Sequence, residues 1–282
     1  MKSLPLLGGL AFGLAIFAPA LSLRAQRPLP APIGSTFFDW DALRVKTTLI
    51  GFSRTGISAP TPTLANFEFH ITTLNPGRIS HPVHHHPQEE LILLREGTLE
   101  SSINGHQARI GAGSILFFAA HDVHNVTNVG DKPATYYAIN FYTAATAKVR
   151  NQPVAEWAPP ELFHSAVLDW SKMVAKPSPT GFRRELVDSP TATFADLKIH
   201  VSTVNPGSPA SAAHRHPWVE FMVVQDGAVD ATVDGVTHRI GPGSAVLIAS
   251  NSMQSYKNPG SLPATYFVFA VSSALTPKPS GG

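Results

Sequence analysis

The sequence predicts an all-β chain built as two tandem units, each a sandwich or barrel. Three observations carry this. Residues repeat at a constant offset of 130, short alternating apolar runs are separated by turn residues, and no long helical period competes. In the repeat, Asp39-Trp40 returns as Asp169-Trp170, and Thr73-x-Asn75-Pro76-Gly77 as Thr203-x-Asn205-Pro206-Gly207. His84-x-His86-Pro87 returns as His214-x-His216-Pro217, and Pro133-Ala134-Thr135-Tyr136 as Pro263-Ala264-Thr265-Tyr266. The period far exceeds that of solenoid repeats, so the repeated unit is a domain.

In chain order, residues 1–25 read as a secretory signal peptide: Lys2, an apolar stretch from Leu4 to Ala20, then small residues suited to cleavage. Pro5, Gly8, Gly9 and Gly13 make a membrane anchor the poorer reading. Arg27–Ser35 read as an extended, proline-rich leader. The first unit spans 36–143, a linker 144–165 and the second unit 166–275. Within the first unit, strands are expected at Ala65–Leu74, Leu91–Arg95, Thr98–Ile103, Ser114–Ala119 and Thr135–Tyr142. Asn104-Gly105 and Asp234-Gly235 mark equivalent type I′ hairpins. Helices are expected to be short, in the leader, the linker (Pro159–Val167) or ahead of each unit.

Composition narrows the chemistry. The chain has 21 Lys+Arg against 19 Asp+Glu, with no dense basic run, which argues against nucleic acid as a partner. The absence of Cys excludes disulfides, thiolate metal sites and Cys nucleophiles. Thirteen His remain as the main candidates for metal or acid–base work.

His84 and His86 are two apart, so on a strand they share one face. Glu90 has the same parity but lies too far along an unbroken strand to share an ion. Pro87 supplies a bend that lets Glu90 return beside the histidines. Two imidazoles and a carboxylate form a facial ligand set suited to Fe(II), Mn(II) or similar ions, and His124 is an available fourth ligand.

These residues resemble the two motifs of the cupin superfamily. The first stands as Gly77…His84-x-His86-x3-Glu90-x6-Gly97. The second stands as Gly113-x5-Ala119-Ala120-His121-x2-His124-x3-Asn128, with Ala119 and His121 replacing the family's Pro and Gly. With the duplication, the chain resembles a bicupin over about residues 36–275. The resemblance implies two jelly-roll β-barrels and a divalent transition metal (Fe or Mn, with Zn, Ni or Cu as alternatives) held by His84, His86, Glu90 and His124. No organic cofactor is implied. The second copy keeps His214, His216 and Glu220 but has Gln254 at the last ligand position. It is therefore either a second metal site completed by Gln254 or a structural copy.

Other residues have plainer readings. His70, His106, His164, His200 and His238 are read as core or solvated, and His85 as facing away from its neighbours. His81 and His121 border the first site. Phe117, Phe118, Tyr136 and Tyr137 are read as core, and Trp40 and Trp170 as anchors of each unit's N-terminal arm.

The functional expectation is a metal-dependent enzyme acting on a small oxygenated organic molecule, with dioxygenase-type oxidative cleavage first and Glu90 as a proton relay. A non-oxidative isomerase, lyase or decarboxylase is one alternative. A non-catalytic module binding a sugar or other small molecule is another. The oxalate-acting bicupins have four residues before the Glu and an Arg three before the first His. Here there are three residues before the Glu, and His81 and Ser211 occupy the Arg positions. Export to the periplasm or medium is expected, with no stable membrane span after cleavage. A homo-oligomer is compatible with the sequence.

Overall fold

The computed structural model describes residues 31–278. The expected signal peptide, 1–25, lies outside them. The first unit contributes β1 (Thr36–Phe38), β2 (Val45–Thr48), β3 (Gly51–Ala59), β4 (Asn66–Leu74), β5 (Glu89–Glu96), β6 (Thr98–Ile103), β7 (His106–Gly111), β8 (Ile115–Phe118), β9 (His124–Asn128) and β10 (Ala134–Tyr142). A short helix, α1 (Val154–Trp157), lies in the linker. It falls ahead of the expected helical segment, because Pro159 and Pro160 end the turn.

The second unit follows with β11 (Ala166–Leu168), β12 (Lys176–Ser178), β13 (Gly181–Ser189), β14 (Asp196–Val204), β15 (Pro209–His214), β16 (Val219–Asp226), β17 (Val229–Val233), β18 (Val236–Ile240), β19 (Ala245–Ile248), β20 (Gln254–Lys257) and β21 (Ala264–Ser272). Among the described residues, no helix is long and apolar enough to cross a membrane.

Each unit is a jelly roll, with a seven-stranded antiparallel sheet facing a smaller one. The sheet orders are β11-β8-β5-β10-β4-β3-β2 over β7-β6-β9, and β1-β19-β16-β21-β14-β13-β12 over β15-β20-β17-β18. The runs Leu91–Leu94 and Phe221–Val224 are continuously apolar because both faces of these strands are covered. Leu91 and Leu93 enter a core shared by the two units, where Phe67 and Phe69 meet Phe221 at ring-centroid distances of 5.0 and 4.8 Å. Ile92 and Leu94, one residue out of phase, fill the first barrel's own interior.

The units exchange their first strands. β1 pairs with β19 of the second unit, with Phe37 opposite Val246, and β11 pairs with β8 of the first, with Val167 opposite Leu116. The two tryptophans are anchors, but each docks on the opposite unit. The Trp40 amide donates to Ser244 Oγ (3.1 Å) and its ring covers Gly243, while the Trp170 amide donates to Ser114 Oγ (3.0 Å) and its ring covers Gly113. Arg54 and Arg95 stack on Trp40, and Arg184 on Trp170.

Candidate metal centre

Contrary to the strand expected there, His84 and His86 do not lie on a regular strand. Pro82 and Pro87 bracket them, and neither can donate to a ladder. What remains is a single antiparallel bridge between His84 and His124, with reciprocal backbone bonds of 3.2 and 2.9 Å. The equivalent of Pro82 is Ala212, and there β15 forms as a strand through His214. Pro87 bends the chain as expected, and β5 brings Glu90 back beside the imidazoles.

His84, His86 and His124 form the one group of three or more His, Cys, Asp or Glu found clustered among the described residues. Their ligand atoms lie within 4.8 Å of one another. Two are oriented by backbone carbonyls: His124 Nδ1 lies 2.7 Å from the Asp122 oxygen, and His86 Nδ1 lies 2.9 Å from that of Gln88. An Nδ1–H donated there leaves each Nε2 lone pair facing the centre. Phe118 stacks on His124 (4.1 Å between centroids, 13° between planes) and fixes its ring. Glu90 Oε2 sits 3.2 Å from His86 Nε2 and 3.4 Å from His124 Nε2.

Burial alone would raise the Glu90 carboxyl, but His124 and His86 outweigh it and hold it at about 2. Burial works against charge on His86 too, but Glu90 reverses it and raises the pKa. Burial lowers both His81 and His84. His84 Nδ1 and His124 Nε2 are buried without a hydrogen-bond partner. Unpaired buried nitrogens in a cluster that also holds an anionic carboxylate suit a divalent cation. The donor set fits such an ion.

The space beside these groups is about 10 Å³, lined by His70, His81, Phe118 and Tyr136 among others. That is room for about one water. All four aromatics read as core are buried in it. Phe118 and Tyr136, members of the first barrel's interior cluster, also wall the site, and so does His70, whose sequence context suggests only a core or solvated residue. His85 faces outward and is exposed, as expected, and its Nδ1 lies 3.1 Å from that of His121.

The second barrel is arranged differently. Trp218 Nε1 donates to Glu220 Oε1 (2.8 Å), Gln254 Nε2 donates to Glu220 Oε2 (2.9 Å), and Tyr256 OH donates to Gln254 Oε1 (2.6 Å). His216 lies 3.7 Å from Glu220 and stacks on Trp218. The polar ends of Glu220 and Gln254 are thus engaged with each other and with donors absent from the first copy, where Gln88 and Val126 stand in place of Trp218 and Tyr256. In this arrangement the Gln254 amide is directed at Glu220 and Tyr256. Beside this network lies a cavity of about 370 Å³. It includes His200, which burial holds at about 3 with Arg183 adding to the shift. Sequence reasoning misses its place here because a single His in an alternating strand carries no signal. Only its pairing with His70 across the repeat marks it.

The terminal Asn of the second motif is a structural staple. Asn128 Nδ2 donates to the Leu74 and Lys132 carbonyls, its Oδ1 accepts from Gly130 N–H, and Asn258 repeats the pattern.

The fold and site define a duplicated, metal-binding jelly roll. The cupin domain family matches residues 70–140 and 200–270, half of the chain, and the protein belongs to that family. No curated protein sequence matches it. Among solved structures it is similar to oxalate decarboxylase from Bacillus subtilis at pH 4.6. The TM-score is 0.64 and the identity 13%, covering 87% of this chain and 78% of that one. It is also similar to AerE from Microcystis aeruginosa, with a TM-score of 0.62 and identity of 12%, covering 83% of this chain and 98% of that one. At these identities the likeness is one of fold.

Proposed function

We propose that the chain is a metal-dependent bicupin enzyme whose first barrel breaks a carbon–carbon bond in a small oxygen-rich molecule, by dioxygenase-type oxidative cleavage. The carrying observation is the triad of His84, His86 and His124, in which His84 Nδ1 and His124 Nε2 are buried and unpaired, with ionised Glu90 against His86 and His124. These four residues would hold a divalent transition ion such as iron or manganese, which supplies Lewis acidity and a template for substrate oxygens. The donors are nitrogen and carboxylate without sulfur, as such ions prefer.

The chain's own residues divide the remaining work. Phe118 and Tyr136 exclude water and limit the site to small ligands. Glu90, held at about 2 beside His124 and His86, acts as the anionic ligand, and the relay expected of it is shared with His81, whose pKa burial lowers and whose ring centroid is 4.6 Å from that of His84. Export to the periplasm or medium belongs to the same reading, supported by the signal-peptide pattern of residues 1–25.

Non-oxidative decarboxylation is the second reading. It is favoured by the fold shared with an oxalate decarboxylase and by a site too small for a bulky substrate. Metal analysis of the protein and of His86→Ala, followed by oxygen and carbon dioxide measurement with small keto and hydroxy acids, tests both. Oxygen uptake lost in His86→Ala supports the first reading. Carbon dioxide release without net oxygen uptake supports the second. A wild type that takes up no metal on reconstitution overturns both.

A further inference from the structure

The geometry points to a second, metal-independent ligand site in the C-terminal barrel, built for a small hydroxylated carboxylic acid. This goes beyond the chemistry of the first barrel and does not rest on it.

Three positions change together between the copies: His124 becomes Gln254, Val126 becomes Tyr256 and Gln88 becomes Trp218. Decay of a metal site would leave Glu220 without a partner. Instead each new side chain supplies a bond, Trp218 and Gln254 to Glu220 and Tyr256 to Gln254. A satisfied network of this kind holds the barrel wall rigid with no ion. At the same time the interior opens. Ser211 replaces His81, and the space grows from about 10 to about 370 Å³. The larger value falls within the range of small-molecule sites.

Strand register gives the cavity polarity. Arg183, Ser202 and Tyr266 share one level across β13, β14 and β21. His200 and Val268 form the next level, and Ala270 with Glu220 the one after. The basic and acidic ends are therefore four residues, about 13 Å, apart along the strands. Arg183 lies at the cavity's open edge, paired with Glu185. Such an exposed pair is weak and yields readily to a competing carboxylate. At the far end, beside the engaged Glu220, the His214 and His216 imidazoles offer acceptors to hydroxyl donors. Between them Ser211 Oγ is buried without a partner and lines the cavity. A ligand with its carboxylate at Arg183 and its hydroxyls toward His214 and His216 matches both ends. A dicarboxylate would set a second anion against Glu220.

Calorimetry on chelator-treated protein tests this, with gluconate and 4-hydroxybenzoate as aliphatic and aromatic probes and sorbitol and methyl 4-hydroxybenzoate as their uncharged counterparts. The expected result is 1:1 binding of at least one acid, unchanged after metal loading and weakened at least tenfold in Arg183→Ala, with its uncharged counterpart indifferent to that change. Failure of both acids to bind overturns the proposal. So does binding that requires metal, or an Arg183→Ala variant that binds the acid as the wild type does.

Discussion

Gln254 donates its amide to Glu220 at 2.9 Å, whereas the equivalent His124 only approaches Glu90 at 3.4 Å and keeps its Nε2 unpaired. The same backbone position thus satisfies one barrel's buried carboxylate with a donor and leaves a nitrogen unpaired beside the other's. Tyr256 sets which way Gln254 faces, because its hydroxyl needs the amide oxygen as acceptor. Tyr256→Phe leaves that oxygen buried and unpaired, and stability should fall by about 1–3 kcal/mol. Urea denaturation against wild type measures this, and an unchanged midpoint contradicts the assigned orientation.

A metal bound only by the folded first barrel should stabilise the protein by mass action. At 100-fold excess over the dissociation constant the gain is about 2.7 kcal/mol. Thermal melts with added Mn(II) or Zn(II) should therefore rise for wild type and for His216→Ala, but not for His124→Ala. A rise lost in His216→Ala instead would move the site to the second barrel.

Glu89 sits between the units, buried, and accepts hydrogen bonds from Thr191 Oγ1 (2.5 Å), Thr193 Oγ1 (2.7 Å) and Ala192 N–H (3.2 Å). Burial pushes its carboxyl up to about 7, although these donors pull the other way. Between an unfolded value near 4.5 and the folded value near 7, the native state binds more protons than the unfolded chain. Glu89 therefore favours the fold below about 4.5, and this contribution is lost as pH rises to about 7. Glu89→Gln should remove that component, so the wild type loses stability relative to the variant across this window. Parallel stability–pH curves for the two proteins would contradict it.

Gly113 and Gly243 both adopt positive φ, +85° and +86°, and a Cβ at either would come within 2.7 and 2.6 Å of Trp170 and Trp40 respectively. Backbone conformation alone should cost about 1–3 kcal/mol in Gly113→Ala or Gly243→Ala, and the clash adds to it. Each tryptophan bridges the two units, so both barrels should melt earlier together. Calorimetry showing one barrel melting early while the other keeps its wild-type transition would contradict this coupling.

Much of this was legible along the chain. The constant offset of 130 exposed the duplication, and alternating runs such as Thr98–Ile103 gave strands at their observed positions. Pro87 foretold the bend that returns Glu90. Spacing and residue type report on these features because they are local. Strand periodicity, proline's fixed φ and the chemistry of imidazole act within a few residues. By contrast, the role of His70 and His200, the orientation of His85 toward His121 and the docking of each Trp on the opposite unit depend on partners far away in sequence. The same holds for the fate of Gln254. Sequence showed that it replaced a ligand, but Tyr256, Trp218 and Glu220 converge on one network only when β16 and β20 fold into the same barrel. That convergence decides whether a buried carboxylate is left for a cation or satisfied by neighbouring donors, because the cost of leaving it unpaired is set by the groups packed around it.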